Sequence, residues 1–80
     1  MIYDTLSRRE KEVIDYVVMG YSNDEIARLL FLSYGRVGTL IYNLYTKYGI
    51  ESNRCRLMRK RLEELGVNFS NLVTANKAVF

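Results

Sequence analysis

The chain has 80 residues, with about half of them apolar, a quarter charged and a net charge of +3. That is the size and composition of one folded domain, and it excludes a disordered or fibrous chain. A single cysteine and no histidine leave no internal disulfide, no zinc set and no thiol–imidazole catalysis; a reducing, cytoplasmic setting is expected.

No segment reaches the ~18 apolar residues of a membrane span. The opening MIYDTLSRRE lacks the charged-then-apolar order of a signal peptide. Proline is absent, so serine and glycine punctuate the chain. Ser7 and Glu10 form a capping box. Val13, Ile14, Val17 and Val18 follow as a helical stripe, and Gly20 closes a first helix over 8–19. Ser22 and Glu25 form a second box, opening a short helix over about 23–30 with Ile26, Leu29 and Leu30 at helical spacing. Phe31-Leu32-Ser33 is a tight connection, and Ser33 caps a third helix. The third helix runs over 34–48, with Val37, Ile41, Leu44 and Tyr48 inward and Gly49 as its left-handed stop.

Ser52 or Asn53 caps a fourth helix reaching about Leu65. Its expected core stripe is Cys55, Met58, Leu62 and Leu65, with Leu57 beside it. Phe69, Leu72, Val73 and Val79 keep a roughly helical spacing in the tail, which leaves a short fifth helix open there. The expected architecture is all-α, a domain over 1–66 and a tail over 67–80. Its second and third helices form a helix-turn-helix unit on a platform made by the first and fourth.

Charge is unevenly placed. Residues 1–33 hold four basic and six acidic side chains, and residues 34–80 hold eight and three. A basic C-terminal half is the footprint of a nucleic-acid surface, although a solvated helix of mixed charge gives the same count.

The segment LSRREKEVIDYVVMGYSNDEIARLLFLSYGRV resembles the LuxR/GerE-type helix-turn-helix domain. Its pattern runs L-T-x-R-E-x-E-V-L, glycine, S-N-x-E-I-A-x-x-L-x-I-S, T-V-K-x-H, I-x-x-K-L-G-V. Leu6, Arg9, Glu10, Glu12, Val13, Gly20, Ser22, Asn23, Glu25, Ile26, Ala27, Leu30, Ser33, Val37, Leu44, Lys47 and Gly49 stand in register. Asn53-Arg54-Cys55 resembles the start of the last helix in quorum-sensing members. The resemblance implies a homodimeric transcriptional regulator, with helix three in the major groove and the last helix often at the dimer contact. With no sensing domain ahead of it, the chain resembles the small stand-alone members.

The departures fall mainly on the DNA face. Gly38 replaces the family's lysine, Leu40 its histidine, Arg36 its threonine and Asp24 a frequent phosphate-contacting lysine. Arg36 offers a bidentate reader of guanine, Asn43 a partner for adenine and Thr39 a contact for a thymine methyl. Tyr42, Thr46 and Lys47 lie further along the same helix, within reach of backbone or sugar oxygens. The resemblance implies a phosphate contact for Arg54, and Asn23 is a further candidate DNA contact.

The alternative is an interaction module, binding a regulator or polymerase subunit instead of DNA. Its candidate surface is Tyr34, Tyr42, Tyr45, Leu62, Leu65, Phe69 and Leu72, since tyrosine is enriched at interfaces. Arg61, facing its copy across a twofold, would oppose pairing through the last helix. No nucleophile–base pair, metal set or phosphate-cradling glycine loop points to an enzyme, and no cofactor is expected.

Overall fold

The computed structural model describes residues 1–67; the expectations for Phe69, Leu72, Val73 and Val79 lie outside the described residues. A single 3-10 turn, Ile2–Thr5, leads into four α-helices: α1 Arg8–Val18, α2 Asn23–Leu30, α3 Tyr34–Tyr48 and α4 Arg54–Glu64. The expected helices are all present, their ends shifted by a residue at most. The 3-10 turn was not anticipated.

The caps work as their residue types dictate. The Glu10 amide donates to Ser7 Oγ at 3.2 Å, and the Ser7 amide to Glu10 Oε1 at 2.7 Å. Ser22 and Glu25 repeat the exchange at 3.2 and 3.0 Å. Ser33 and Asn53 accept from the amides of Arg36 and Arg56 at 3.0 and 3.1 Å. Each cap satisfies a donor that the helix start would otherwise leave open. Gly49 stops α3 at φ +65°, a backbone that a β-carbon disfavours.

One core joins α1, α3 and the inner sides of α2 and α4. Val13, Ile14, Val17, Ile26, Val37, Leu44 and Leu57 are fully enclosed. Leu40 belongs here too, at 3 % exposure, so it is not on the DNA face where the sequence pattern set it. Helix α3 buries Val37, Leu40, Ile41, Leu44 and Tyr48, a stripe wider than the one expected. An apolar side chain at position 40 fills core volume, which a histidine would fill less favourably.

Helix α4 is turned away from its expected face. Its buried residues are Leu57 and Arg61, whereas Cys55 and Leu65 are exposed and Met58 and Leu62 half-buried. The reason is electrostatic. The Arg61 guanidinium stacks 3.6 Å from the centre of the Tyr3 ring and reaches Glu64 at 3.5 Å. Glu64 in turn accepts from the Tyr48 hydroxyl at 2.5 Å and the Tyr3 amide at 3.3 Å. Charges with partners can be buried where a lone one could not. This inward turn takes Arg61 off the exposed side of α4, which carries Cys55 beside Arg56, Arg59, Lys60 and Glu63.

Candidate nucleic-acid interface

Helix α3 crosses α1 and α2 and leaves one side to solvent. Arg36, Thr39, Tyr42 and Thr46 are exposed there, and Asn43 is half-buried at its margin. The helix contains no acidic residue. Among the described residues no carboxylate pairs with the Arg36 guanidinium, so its donors remain available. Thr39 and Thr46 donate their hydroxyls to the carbonyls of Gly35 and Tyr42, at 3.1 and 3.2 Å. That leaves each with a methyl and oxygen lone pairs to present. A β-carbon added at Gly35 or Gly38 would meet nothing within 4 Å, so packing inside the chain does not demand either glycine.

The remaining expected contacts are drawn into the framework. Lys47 Nζ lies 2.6 Å from Glu10 Oε1, a carboxylate with 4 % of its side chain exposed. Burial pushes the Glu10 pKa up, but the hydrogen bonds from Lys47 and from Ser7 outweigh it and hold the carboxyl below its ordinary value. Arg54 and Asn23, 31 positions apart, are brought together: one guanidinium nitrogen donates to Asn23 Oδ1 and the other to the Tyr21 carbonyl. Asp24, beside them, pairs with Arg28 one turn on, which offsets the repulsion its charge would exert on a phosphate.

The candidate protein surface divides as well. Tyr34 and Tyr42 are 62 % and 65 % exposed, while Tyr45 packs partly against the core. Leu65 and, in part, Leu62 face outward. Sequence reasoning missed Phe31. It is 94 % exposed and takes the left-handed backbone at φ +56°, a conformation that usually goes to glycine or asparagine. The sequence placed it in the tight connection Phe31-Leu32-Ser33 but gave no sign that its ring would face solvent.

A helix-turn-helix whose second helix is free on one side has many possible owners, but the sequence comparison is specific. Residues 4–60 match the family described as bacterial regulatory proteins, luxR family. The chain belongs to that family. The curated relatives are named as transcriptional regulatory proteins. The chain is 45 % identical over 47 residues to a "Probable csgAB operon transcriptional regulatory protein" of Salmonella typhimurium and, to the same degree, to the "CsgBAC operon transcriptional regulatory protein" of Escherichia coli. It is 46 % identical over 48 residues to the "Transcriptional regulatory protein TdiR" of Thauera aromatica. These matches take in 59 to 60 % of this chain but only 21 to 22 % of each relative. The match thus spans only about a fifth of the length of each of these relatives. No helix among the described residues is long and apolar enough to cross a membrane.

Proposed function

We propose that this protein is a transcriptional regulator that binds double-stranded DNA in a sequence-dependent way, with α3 in the major groove. The observation that carries the reading is the outward side of α3. It places one unpaired arginine, Arg36, among Thr39, Tyr42 and Asn43, with no acid on the helix to repel phosphates. Arg36 supplies a bidentate donor for guanine O6 and N7, and Asn43 a donor–acceptor pair for adenine. Lys47 belongs to the support of this helix rather than to its reading side, because Glu10 holds it.

The protein acts in the cytoplasm as a homodimer joined through the C-terminal end of α4, where Leu65 is exposed and Leu62 half-covered. Binding a pool of random duplexes, selecting the tightest and repeating the measurement over a salt series tests the reading. Affinity must fall steeply with salt and differ between selected and scrambled sites. Equal affinity for both, or no binding at low salt, rejects it.

A second reading, docking onto another transcription protein, is favoured by the exposure of Phe31, Tyr34 and Tyr42. Replacing Phe31 and Tyr34 together by serine separates the two, since it abolishes protein docking but leaves selection of a duplex by Arg36 intact.

A further inference from the structure

Tyr3 ties α1 to α4. On α4, the Arg61 guanidinium lies 3.6 Å from its ring centre, and its amide donates to Glu64 Oε2 at 3.3 Å. On α1, Asp15 accepts from its hydroxyl at 3.1 Å, and Lys11 Nζ stands 5.4 Å from the ring centre. The 3-10 turn that carries Tyr3 buries no residue of its own. It is a strap held by polar groups and one ring, and such a segment opens at a fraction of the cost of global unfolding. Tyr3, Arg61 and Glu64 all lie outside residues 4–60, the span shared with the family.

What the strap restrains is Arg61. Among the described residues, its Nε is a buried side-chain nitrogen without a hydrogen-bond partner. Glu64 reaches one of its terminal nitrogens only at 3.5 Å. A buried charge so thinly satisfied returns to water once its cover is lifted, and an arginine stem is long enough to make that move while the helix stays in place. The exposed Leu65 stands four positions on, with the half-covered Leu62 beside Arg61. Residues four apart are neighbours on a helix surface. A released guanidinium therefore emerges next to the leucines of the proposed pairing contact.

We infer that the N-terminal turn is a strap that controls pairing: Tyr3 holds Arg61 inside, and lifting the strap frees Arg61 to oppose the approach of a second copy. This rests on the proposed contact through the end of α4 and adds a control to it. Two copies meeting there bring two freed guanidinium groups together, and like charges set face to face weaken association. The strapped form pairs, and the unstrapped form stays single.

Tyr3→Ala tests this, with light scattering over a dilution series and circular dichroism on the same samples. The expected result is roughly 10-fold or more weaker pairing at unchanged helicity. Tyr3→Phe keeps the ring over Arg61 and should pair like the parent. The deciding variant joins Tyr3→Ala to Arg61→Met. The strap is still lost, but no charge is released, so pairing should return to parent strength. A general loosening of α4 would not be repaired by that second change. Should Tyr3→Ala fail to fold, Glu64→Gln reaches Arg61 by another route. It keeps an acceptor for Tyr48 and for the strap amide but withdraws the charge beside the guanidinium; the same loss, and the same repair by Arg61→Met, are expected. Parent-strength pairing in whichever of the two variants folds, or weak pairing that Arg61→Met leaves unrepaired, overturns the inference while leaving the pairing contact in place. A parent protein that is monomeric at every concentration overturns both.

Discussion

Lys47 and Glu10 meet across the fold, Nζ to Oε1 at 2.6 Å, and tie the last turn of α3 to the first turn of α1. Glu10 has three tasks at once. It closes the Ser7 capping box, accepts the lysine and lies buried. Lys47→Met removes the cation and leaves a carboxylate with only Ser7 for company. The lysine is 40 % exposed, so solvent screens part of the interaction, and the expected loss is about 2 kcal/mol, between exposed and buried pairs. A thermal melt should show a fall of roughly 10 °C. Below that melting point, duplex affinity should change far less than in an Arg36 variant.

Acid should destabilise the fold through two carboxylates. Burial pushes the Glu64 pKa up, but hydrogen bonds from the Tyr48 hydroxyl and from the amides of Tyr3 and Ile2 more than reverse it, as Lys47 and Ser7 do for Glu10. Both groups ionise below the ordinary value of 4.5 when folded. Their stabilisation is present above that value and is lost as pH falls through the depressed folded values. Urea midpoints measured from pH 6 down to pH 3 should therefore decline below about 4.5. The Glu10→Gln variant should show a shallower decline from a lower starting point.

Tyr48 gives the opposite limb. Burial, then its hydrogen bond to Glu64, raises the phenol above its ordinary value of 10.0. Stability should hold below that value and drop as pH rises past it, because the unfolded phenol ionises first. Tyr48→Phe removes this alkaline dependence and leaves Glu64 without the hydroxyl at 2.5 Å. The same titration by urea midpoint reads both effects.

Gly38 should prove dispensable for the fold. It lies inside a helix, where glycine costs about 1 kcal/mol relative to alanine, and an added β-carbon meets nothing within 4 Å. Gly38→Ala should raise the melting temperature by about 5 °C. Unchanged or reduced stability in a calorimetric scan would mean that the open space is not open in solution.

Arg36→Ala should leave the melt unaltered and flatten base preference at one position of the selected site, by about 1–3 kcal/mol. Competition among the four single-base variants of the duplex measures it. A uniform loss at all four bases would instead assign Arg36 to the phosphate backbone.

Leu65→Asp should convert a dimer into a monomer in light scattering, at unchanged helicity. Leu65 is 57 % exposed at the end of α4, so the change costs the isolated domain little but sets a charge in the proposed twofold contact.

The amino-acid sequence by itself determined the helices, because the information is local. Ser7 with Glu10, Ser22 with Glu25, and Gly49 each act within one turn of chain. The stripe Val37, Ile41 and Leu44 sets the inward side of α3 by spacing alone, and with it the outward placement of Arg36, Thr39 and Tyr42. What the tertiary structure alone decided is how distant polar groups satisfy one another. Periodicity rotated α4 toward Cys55, Met58, Leu62 and Leu65 because those apolar residues recur at helical spacing, whereas Leu57 and Arg61 are the ones buried. Tyr3 and Tyr48 come from two other parts of the chain, and join Glu64 on the next turn of α4, to make that burial tolerable. In the same way Glu10 claims Lys47, and Asn23 meets Arg54. A buried charge is stabilised in part by partners outside its own local window, so the full set emerges only once the helices are packed.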